Sequence, residues 1–336
     1  MTPAVAYEVL APPKFGHVSE HTNQDLVSEV WRGLLLRPRS LSPWMFYDAR
    51  GSRLFERITM LPEYYLTRME RHILSAHARE MMSAARNGGG TRLRFVELGA
   101  GTASKTGILL EEAARRQSEV LYVPADVSAE ALDAARASIS RRLHGVRVEP
   151  VVANYVTNPP RLQAYEGTTL ALYIGSSIGN FSPGEARTIL RNLRSQLKEG
   201  DALLLGTDMA KNEETLLAAY DDAEGVTAAF NLNLLCRLNR ELDADFDLGS
   251  FRHQAVWNAA ESRIEMHLES LREQRVRIPR AWVSIQFSAG ESIHTENSYK
   301  FVQDDIQRLL TDCGFRMENS WLDERGWYAV TLARVA

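Results

Sequence analysis

The chain has 336 residues, 45% of them apolar and 24% charged, with a formal net charge of −4, which is typical of a globular chain and does not indicate a nucleic-acid partner. It contains neither an apolar run long enough to span a membrane nor a secretory signal, so we expect a cytoplasmic protein without a membrane partner. Cys236 and Cys313 lack CxxC spacing and the histidines form no metal-binding motif, so we predict neither a disulfide framework nor a metal.

The chain before the first predicted strand is rich in aromatic residues. Apolar residues recur at helical spacing from Gln24 to Leu36, and Pro38 ends that pattern. The aromatic residues that follow, between 44 and 68, have polar tips and either line a pocket or only cover the sheet. Thr67 followed by Glu70 predicts a capping box for a helix that runs to about residue 85.

A strand, a glycine turn and a helix are predicted between residues 93 and 113. The apolar run Leu93–Leu98 leads into Gly99 and Gly101, and a helix begins near Ser104. Glycines let the backbone pass close to a bound nucleotide-like molecule, and the helix directs unpaired N–H groups at the same place. Glu97 lies just before the turn, where a carboxylate would repel a pyrophosphate.

A second strand completes this predicted ligand site. It ends at Asp126, in the position of an acid that binds a ribose, and Ser128 then caps the next helix. The turn lacks a third glycine. Together with Glu97, this absence favours an adenosyl sulfonium ligand over a dinucleotide, and the alternative is a βαβ unit without a ligand.

Three further strands extend the predicted sheet, at residues 146–152, 169–174 and 202–206. Asn154 and Tyr155 directly follow the first of them, where an amide and a ring could contact adenine. Ligands of doubly wound sheets bind outside the carboxyl ends of the strands. Four of the candidate residues fall at such ends: Gly99, Asp126, Asn154 and Asn180.

The regular alternation of strands and helices stops after Asp208. A helical stretch is predicted from Glu213 to about residue 242, with a break at Gly225. Antiparallel strands are predicted at 251–257, 264–271, 276–278 and 283–287. A polar loop at 290–300, a helix at 301–313 and a last strand at 327–333 complete the chain.

Several motifs resemble those of the histidine-specific Nα-methyltransferases of ergothioneine biosynthesis. The resemblance runs from about Ser42 to the end of the chain. It rests on five segments: Leu61–Arg68, Glu97–Thr106, Gly175–Asn180, Tyr220–Asn231 and Glu296–Ser298.

The resemblance implies an α/β fold: a class I methyltransferase-like doubly wound sheet with a second, α+β substrate-binding domain. It implies a segment (1–70) that contributes to the substrate domain, a Rossmann-like domain (71–210) that binds S-adenosyl-L-methionine (SAM), a substrate-binding domain (211–298) and a return to the sheet (299–336). The implied reaction transfers three methyl groups from SAM to the α-amine of L-histidine and yields hercynine. A monomer that acts on a small molecule is expected.

The resemblance also implies site residues. For SAM they are Gly99, Lys105, Asp126, Asn154 and Tyr155. For histidine they are Tyr64, Asn180, Tyr220, Glu296 and Ser298, with Tyr47, Phe55, Gly175 and Met266 as lining. Catalytic roles are expected for Tyr47, Asn180 and Tyr220. Many family members have Asp-Phe in place of Asn154-Tyr155, so the adenine contact here loses a charge.

Glu296 is the predicted specificity residue. Its carboxylate would accept an imidazole N–H and favour the protonated ring, while Ser298 would contact the second ring nitrogen. Three rival hypotheses remain at this point. They are the same chemistry on another amino acid such as tryptophan, a non-catalytic SAM sensor, and a dinucleotide-dependent oxidoreductase.

Overall fold

The computed structural model describes residues 20–86, 92–153 and 160–336. The α-helices in these ranges are α1 (Glu20–Leu34), α2 (Ala49–Ile58), α3 (Tyr65–Ala85), α4 (Thr106–Ala114), α5 (Ala129–Arg142), α6 (Pro183–Arg194), α7 (Glu213–Tyr220), α8 (Val226–Leu242) and α9 (Gln303–Asp312). The strands are β1 (Arg39–Ser40), β2 (Leu93–Leu98), β3 (Val120–Asp126), β4 (Val146–Val148), β5 (Val151–Val152), β6 (Thr168–Tyr173), β7 (Ala202–Asp208), β8 (Phe251–Asn258), β9 (Arg263–Ser270), β10 (Gln274–Ile278), β11 (Val283–Phe287), β12 (Ser292–Tyr299), β13 (Phe315–Leu322) and β14 (Tyr328–Val335).

The chain divides into two compact units. Unit 1 comprises Met1–Glu63, Glu213–Asn258 and Ile264–Asn297, and unit 2 comprises Tyr64–Asn212, Ala259–Arg263 and Ser298–Ala336. Strands β9 and β12 each begin in one unit and end in the other.

Unit 2 contains an eight-stranded sheet with the order β13-β14-β7-β6-β2-β3-β4, and β5 also pairs with β3. Strands β2, β3, β4, β6 and β7 pair in parallel, whereas β14 runs antiparallel to both of its neighbours. Strands β2 and β7 are buried at every residue, which explains their nearly continuous apolar sequences. This topology confirms the predicted class I methyltransferase-like sheet.

The core on one side of this sheet comes from distant parts of the chain. Helix α6 contributes Ile189 and Leu190, helix α9 contributes Leu310, and both pack against Leu205 of β7 and Phe315 of β13. The last segment of the chain therefore completes the core that the first strands begin.

Unit 1 contains a four-stranded sheet with the order β1-β12-β9-β8, and a two-stranded antiparallel sheet of β10 and β11. Strand β9 alternates buried residues such as Met266 with half-buried ones such as His267, as expected for a strand with two different faces. Helix α8 packs against α2, and the rings of Phe46 and Phe230 stack with centroids 4.5 Å apart.

Several local predictions are confirmed. Ser128 caps α5 and accepts a hydrogen bond from Ala131 N, and Ser182 forms a capping box with Glu185 at the start of α6. Gly225 separates α7 from α8, as predicted. These features depend on residues three or four positions apart, so the sequence alone specifies them.

Other local predictions are wrong. Residues 290–300, predicted as a polar loop, contain strand β12, in which the polar residues Thr295, Glu296 and Ser298 are buried. The predicted strand 146–152 is two short strands, because Glu149 and Pro150 interrupt it. Strand β13 was not predicted at all.

The predicted capping box of Thr67 and Glu70 is also wrong. Helix α3 begins after Tyr64, and no side chain caps it. Glu70 is fully buried, and its Oε1 accepts hydrogen bonds from Gly175 N (2.7 Å) and Tyr328 OH (2.6 Å). The Glu70 carboxylate therefore accepts hydrogen bonds from Gly175 and Tyr328, and not from the backbone at the start of α3.

Candidate active site

The glycine turn after β2 is the first part of the candidate site in unit 2. Gly99 and Gly101 have φ values of 67° and 50°, and Gly99 N donates to Ala125 O at 2.9 Å. Ala103 also has a positive φ of 53°, and it lies in the zone where a dinucleotide-binding turn has its third glycine. A Cβ added at Gly101 would have no heavy atom within 4 Å, so the turn leaves open space at this residue.

Asp126, the predicted ribose-binding acid, lies at the end of β3 beside this turn. One of its oxygens accepts from Gly101 N and the other from Ser128 N, both at 2.9 Å. A carboxylate has about four acceptor positions, so these two bonds leave Asp126 able to accept hydroxyl groups of a ligand. The same residue thus fixes the turn and offers acceptors next to it.

Glu97 is directed into the core of unit 2. It is 2% exposed and accepts hydrogen bonds from Thr106 Oγ1 at 2.7 and 2.8 Å and from the hydroxyl of Tyr122. Burial raises the pKa of Glu97 to about 7, although its hydrogen bonds and nearby Lys105 oppose that rise. Glu97 therefore ties β2 to the first turn of α4.

Lys105 and Gly175 lie close together at the carboxyl ends of β2 and β6. Lys105 forms an ion pair with buried Glu70, which also accepts from Gly175 N. A Cβ added at Gly175 would lie 3.2 Å from Lys105 Nζ. Lys105, predicted to bind the cofactor, and Gly175, predicted to line the substrate site, therefore both contact the carboxylate of Glu70.

The loop that carries Asn180 is held closely within unit 2. A Cβ added at Gly179 would lie 2.9 Å from Tyr299 O, so only glycine permits this approach of the two backbones. At the other end of the loop, Ser176 Oγ accepts a hydrogen bond from Asp208 N at 2.8 Å. Asn180 is therefore held near the end of strand β12.

Asp208, at the end of β7, is a fully buried anion that binds two cations. Its carboxylate accepts from Lys300 Nζ (2.8 Å), Lys211 Nζ (2.5 Å) and Tyr65 OH (2.8 and 2.9 Å). Burial lowers the pKa of Lys211 to about 8, against the attraction of Asp208. Lys300 also donates to Ser298 Oγ at 2.7 Å, so a predicted substrate residue belongs to this buried network.

The residues of unit 2 fit the adenosyl sulfonium ligand that the sequence predicts. The space at Gly101 would be filled by a Cβ, and Asp126 beside it supplies acceptors for hydroxyl groups. Glu97 is not available as a ribose ligand, because its carboxylate is buried and directed into the core, where it bonds Thr106 and Tyr122. Gly99, Gly101 and Asp126 are therefore the residues that would hold the cofactor.

Unit 1 contains an aromatic cluster formed by Tyr47, Phe55 and Phe230. The Tyr47 ring lies 5.8 Å from that of Phe55 and 6.0 Å from that of Phe230, both in edge-on arrangements. Edge-to-face packing of this kind is favourable, and it fixes the orientation of each ring. Two predicted substrate-lining residues are therefore adjacent.

A buried hydrogen-bond network orients three further predicted residues of unit 1. His253 Nε2 donates to Tyr220 O, and Asn231 Nδ2 donates to His253 Nδ1, both at 2.8 Å. Thr295 Oγ1 lies 2.8 Å from Asn231 Oδ1 and 3.0 Å from Met266 O. The network fixes the backbone at Tyr220 and Met266, and Thr295 directly precedes Glu296.

Its surroundings in this network favour the neutral form of His253. Burial lowers its pKa, although Asp221 and Asp222 oppose the shift. The sequence analysis did not identify His253, Asn231 or Thr295, since each contacts residues that are far away in the sequence. The only available signal was Asn231 at the end of the matched segment 220–231.

The predicted site residues are distributed over both units. Gly99, Lys105, Asp126, Gly175, Asn180, Tyr64 and Ser298 belong to unit 2, and Tyr47, Phe55, Tyr220, Met266 and Glu296 belong to unit 1. Asn154 and Tyr155 lie outside the described residues.

Comparison with known proteins decides the family. The family model described as "Histidine-specific methyltransferase, SAM-dependent" matches residues 26–335. The chain belongs to this family. It therefore methylates histidine, a small-molecule substrate, and uses SAM as the methyl donor.

Three relatives support this assignment. The histidine N-alpha-methyltransferase of Mycobacterium tuberculosis is 42% identical over 94% of this chain and 98% of its own length. Its counterpart from Mycolicibacterium smegmatis is 43% identical over 91% of this chain and 93% of its length. Ergothioneine biosynthesis protein 1 of Neurospora crassa is 30% identical over 89% of this chain, which corresponds to 34% of that longer protein.

The structure adds one observation about the membrane. In the described ranges, no helix combines the length and the apolar character that a membrane crossing requires.

Proposed function

We propose that this histidine methyltransferase transfers three methyl groups in succession to the α-amine of L-histidine. The product would be hercynine, and the reaction would be the first step of ergothioneine biosynthesis. The names of the two mycobacterial relatives support the Nα position, and that of the Neurospora relative supports the pathway.

The observation that carries the proposal is the pair Glu296 and Ser298 on β12. The two residues are 8% and 3% exposed and are two positions apart on the strand, a spacing that directs side chains to the same face. Imidazole has two ring nitrogens on one planar group. A carboxylate and a hydroxyl at this spacing offer one partner to each nitrogen, and a ring without such nitrogens could form neither of these hydrogen bonds.

The contact with Lys300 determines whether the Ser298 hydroxyl acts as a hydrogen-bond donor or acceptor toward the substrate. An ammonium group has only donors, so Ser298 Oγ accepts from Lys300 and its own hydrogen is directed elsewhere. Ser298 then donates to a ring nitrogen that carries a lone pair, while Glu296 accepts the N–H of the other nitrogen. The substrate would bind with a neutral ring, in place of the protonated ring expected from Glu296 alone.

The remaining residues are proposed to orient the amino acid. SAM supplies a sulfonium-activated methyl group when it is bound. Asn180 and Tyr220 would bind the carboxylate and the amine of histidine, and Tyr47 would orient the amine so that its lone pair faces the methyl carbon. Alignment of this kind can contribute roughly 7–11 kcal/mol. The nitrogen must lose a proton before each of the three transfers.

Tyr64, Phe55, Gly175 and Met266 are proposed to line the histidine site, and Lys105, Asn154 and Tyr155 to contribute to SAM binding beside Gly99 and Asp126. The fixed backbone at Met266 supports its role, because a site that discriminates one amino acid requires rigid walls. A monomeric state and a cytoplasmic location stay predictions.

The direct test is the mass spectrum of the product formed from purified protein, SAM and either histidine or tryptophan. We expect histidine to gain three methyl groups on the α-nitrogen and tryptophan to remain unmodified. A product that stops at one or two methyl groups, or faster methylation of tryptophan, would contradict the proposal.

The neutral ring has a separate test in the pH dependence of histidine binding. Free imidazole has a pKa of about 6.5. We expect the calorimetric affinity for histidine to fall as the pH drops below about 6.5, whereas a site selective for the protonated ring would bind more tightly there.

A further inference from the structure

We propose that Glu265, His267 and His294 of unit 1 form a binding site for a divalent transition metal, with zinc as the best match. None of these residues has a proposed role in SAM or histidine binding. The site was not expected from the sequence, where the three residues form no standard metal motif.

The strands bring the three side chains together. Glu265 and His267 are two positions apart on β9, so both project from the half-buried face, opposite to Met266. His294 lies on β12, the neighbour of β9 in the sheet. Side chains on adjacent strands approach within a few ångströms, which is the separation that a shared metal ion requires.

The distances agree with a shared ion. One potential ligand atom from each residue lies within 4.8 Å of the other two. The His267 and His294 rings have centroids 5.0 Å apart, and His267 Nε2 lies 3.1 Å from Glu265 Oε2. A tetrahedral zinc ion holds its ligand atoms roughly 3.4 Å apart, so small rotations of these side chains suffice.

Two asparagines hold the candidate ligands from outside. Asn258 Nδ2 donates to Glu265 Oε1 at 2.9 Å, and Asn297 Oδ1 lies 3.0 Å from His294 Nε2. When His294 Nε2 donates to this oxygen, Nδ1 is the nitrogen that would bind an ion. Metal-binding histidines are oriented in this way, with one nitrogen on a protein acceptor and the other on the ion.

The contact between His267 and Glu265 indicates which nitrogen would bind the ion. His267 Nε2 lies 3.1 Å from Glu265 Oε2, so Nε2 is the nitrogen that would share an ion with this carboxylate, in place of the hydrogen bond between them. Nδ1 lies on the other side of the ring, where it is buried and has no hydrogen-bond partner among the described residues.

The donor set selects the class of metal. Two imidazoles and one carboxylate match zinc and related transition metals, whereas magnesium and calcium prefer oxygen ligands. Three protein ligands leave a fourth position for water. The bound ion would link β9 to β12 two residues before Glu296.

The test is a zinc titration of the untagged protein in competition with a chromophoric chelator. Histidine must be absent, because it binds zinc itself. We expect one ion per chain, together with a rise in melting temperature on zinc addition. With Co²⁺ in place of zinc, we expect the visible absorption of a four-coordinate ion.

Substitutions assign the site. Removal of a residue that hydrogen-bonds a metal ligand typically weakens metal binding by roughly 10- to 100-fold, and we expect a loss in that range for Asn258→Ala. His267→Ala and His294→Ala remove a ligand itself, so each should weaken zinc binding by more than this. His77→Ala is the matched control. His77 Nδ1 contacts Glu80 Oε2 at 3.2 Å, nearly the separation of the His267 and Glu265 pair, but His77 belongs to no three-residue group in the described chain.

Circular dichroism of the metal-free variants controls for folding. Loss of the ion in the His267 and His294 variants, with His77→Ala unchanged, would support the site. Zinc binding by His267→Ala and His294→Ala equal to that of the wild type would overturn it, as would a wild type that binds no zinc in competition with the chelator.

Discussion

Two regions of the molecule position their functional groups by different means. One is the glycine turn of unit 2, and the other is the buried hydrogen-bond network of unit 1. At the turn, the backbone conformation positions the groups: Gly99 and Gly101 have positive φ values, and Gly101 N donates to Asp126, which lies 25 residues further along the chain. In unit 1, Tyr220 and Met266 are oriented by His253, Asn231 and Thr295, which come from three separate elements.

If the turn binds SAM and the network of unit 1 supports the substrate residues, as we propose, the two ligands depend on different parts of the chain. We therefore expect substitutions in the two regions to have separable effects.

The largest expected effect on stability comes from Asp208→Asn. The substitution leaves Lys300 and Lys211 buried without their counter-charge, and breaking a buried pair costs about 3–5 kcal/mol. Urea denaturation should show a loss of that size. Asp243→Asn is the control, since its pair with Arg280 is exposed and is worth about 1 kcal/mol or less. Equal losses in both variants would contradict the central role of Asp208.

Gly101→Ala should mainly affect the cofactor. A methyl group in the open space of the turn should weaken SAM binding by at least about tenfold, while the positive φ costs roughly 1–2 kcal/mol of stability. Gly200→Ala is the matched control, because its φ is 86° and its Cβ would also meet nothing within 4 Å. Calorimetry should show normal SAM affinity only in the control. An unchanged affinity in Gly101→Ala would remove the turn from the site.

The network in unit 1 should respond to pH through His253. Its folded pKa is lowered by burial, so between that value and about 6.5 the unfolded chain binds more protons than the folded chain. Stability should therefore fall as the pH drops below about 6.5, by up to about 1.4 kcal/mol per pH unit from this residue. In His253→Gln, this part of the pH dependence should disappear from denaturation curves. A variant with the wild-type slope would show that His253 is not held neutral.

The smallest expected change in stability distinguishes Ser182, which caps a helix, from Thr67, which does not. Ser182→Ala removes a cap and should cost about 1 kcal/mol. Thr67→Ala removes no cap, so its effect should stay within about 0.5 kcal/mol. Thermal unfolding of the two variants decides the matter, and a larger loss in Thr67→Ala would restore the capping box.

The sequence predicts those parts of the fold whose causes are local. The glycine turn and the serine caps depend on residues a few positions apart, whereas Asp126 could be named because it ends a predicted strand, although its contact with Gly101 spans 25 residues. Strand β12 was mistaken for a loop because its polar residues are buried through distant partners, such as Thr295 through Asn231. Glu70 has the spacing of a capping box but binds Gly175 and Tyr328, which lie more than 100 residues away.

The candidate site shows the same division. The positions implied by the resemblance could be named from motifs, but the residues that orient them could not. Lys300 beside Ser298 and His253 beside Tyr220 follow no motif, because only the folded chain brings them into contact. The group of Glu265, His267 and His294 was missed for the same reason, since His294 lies on β12 and the other two residues lie on β9.

Calorimetric titration of Glu296→Ala with histidine and with SAM tests the central claim most directly. If Glu296 recognises the imidazole ring, the variant loses at least about tenfold in histidine affinity, because a buried carboxylate partner is removed, and it keeps its affinity for SAM. Wild-type affinity for histidine in a folded Glu296→Ala variant would contradict the account.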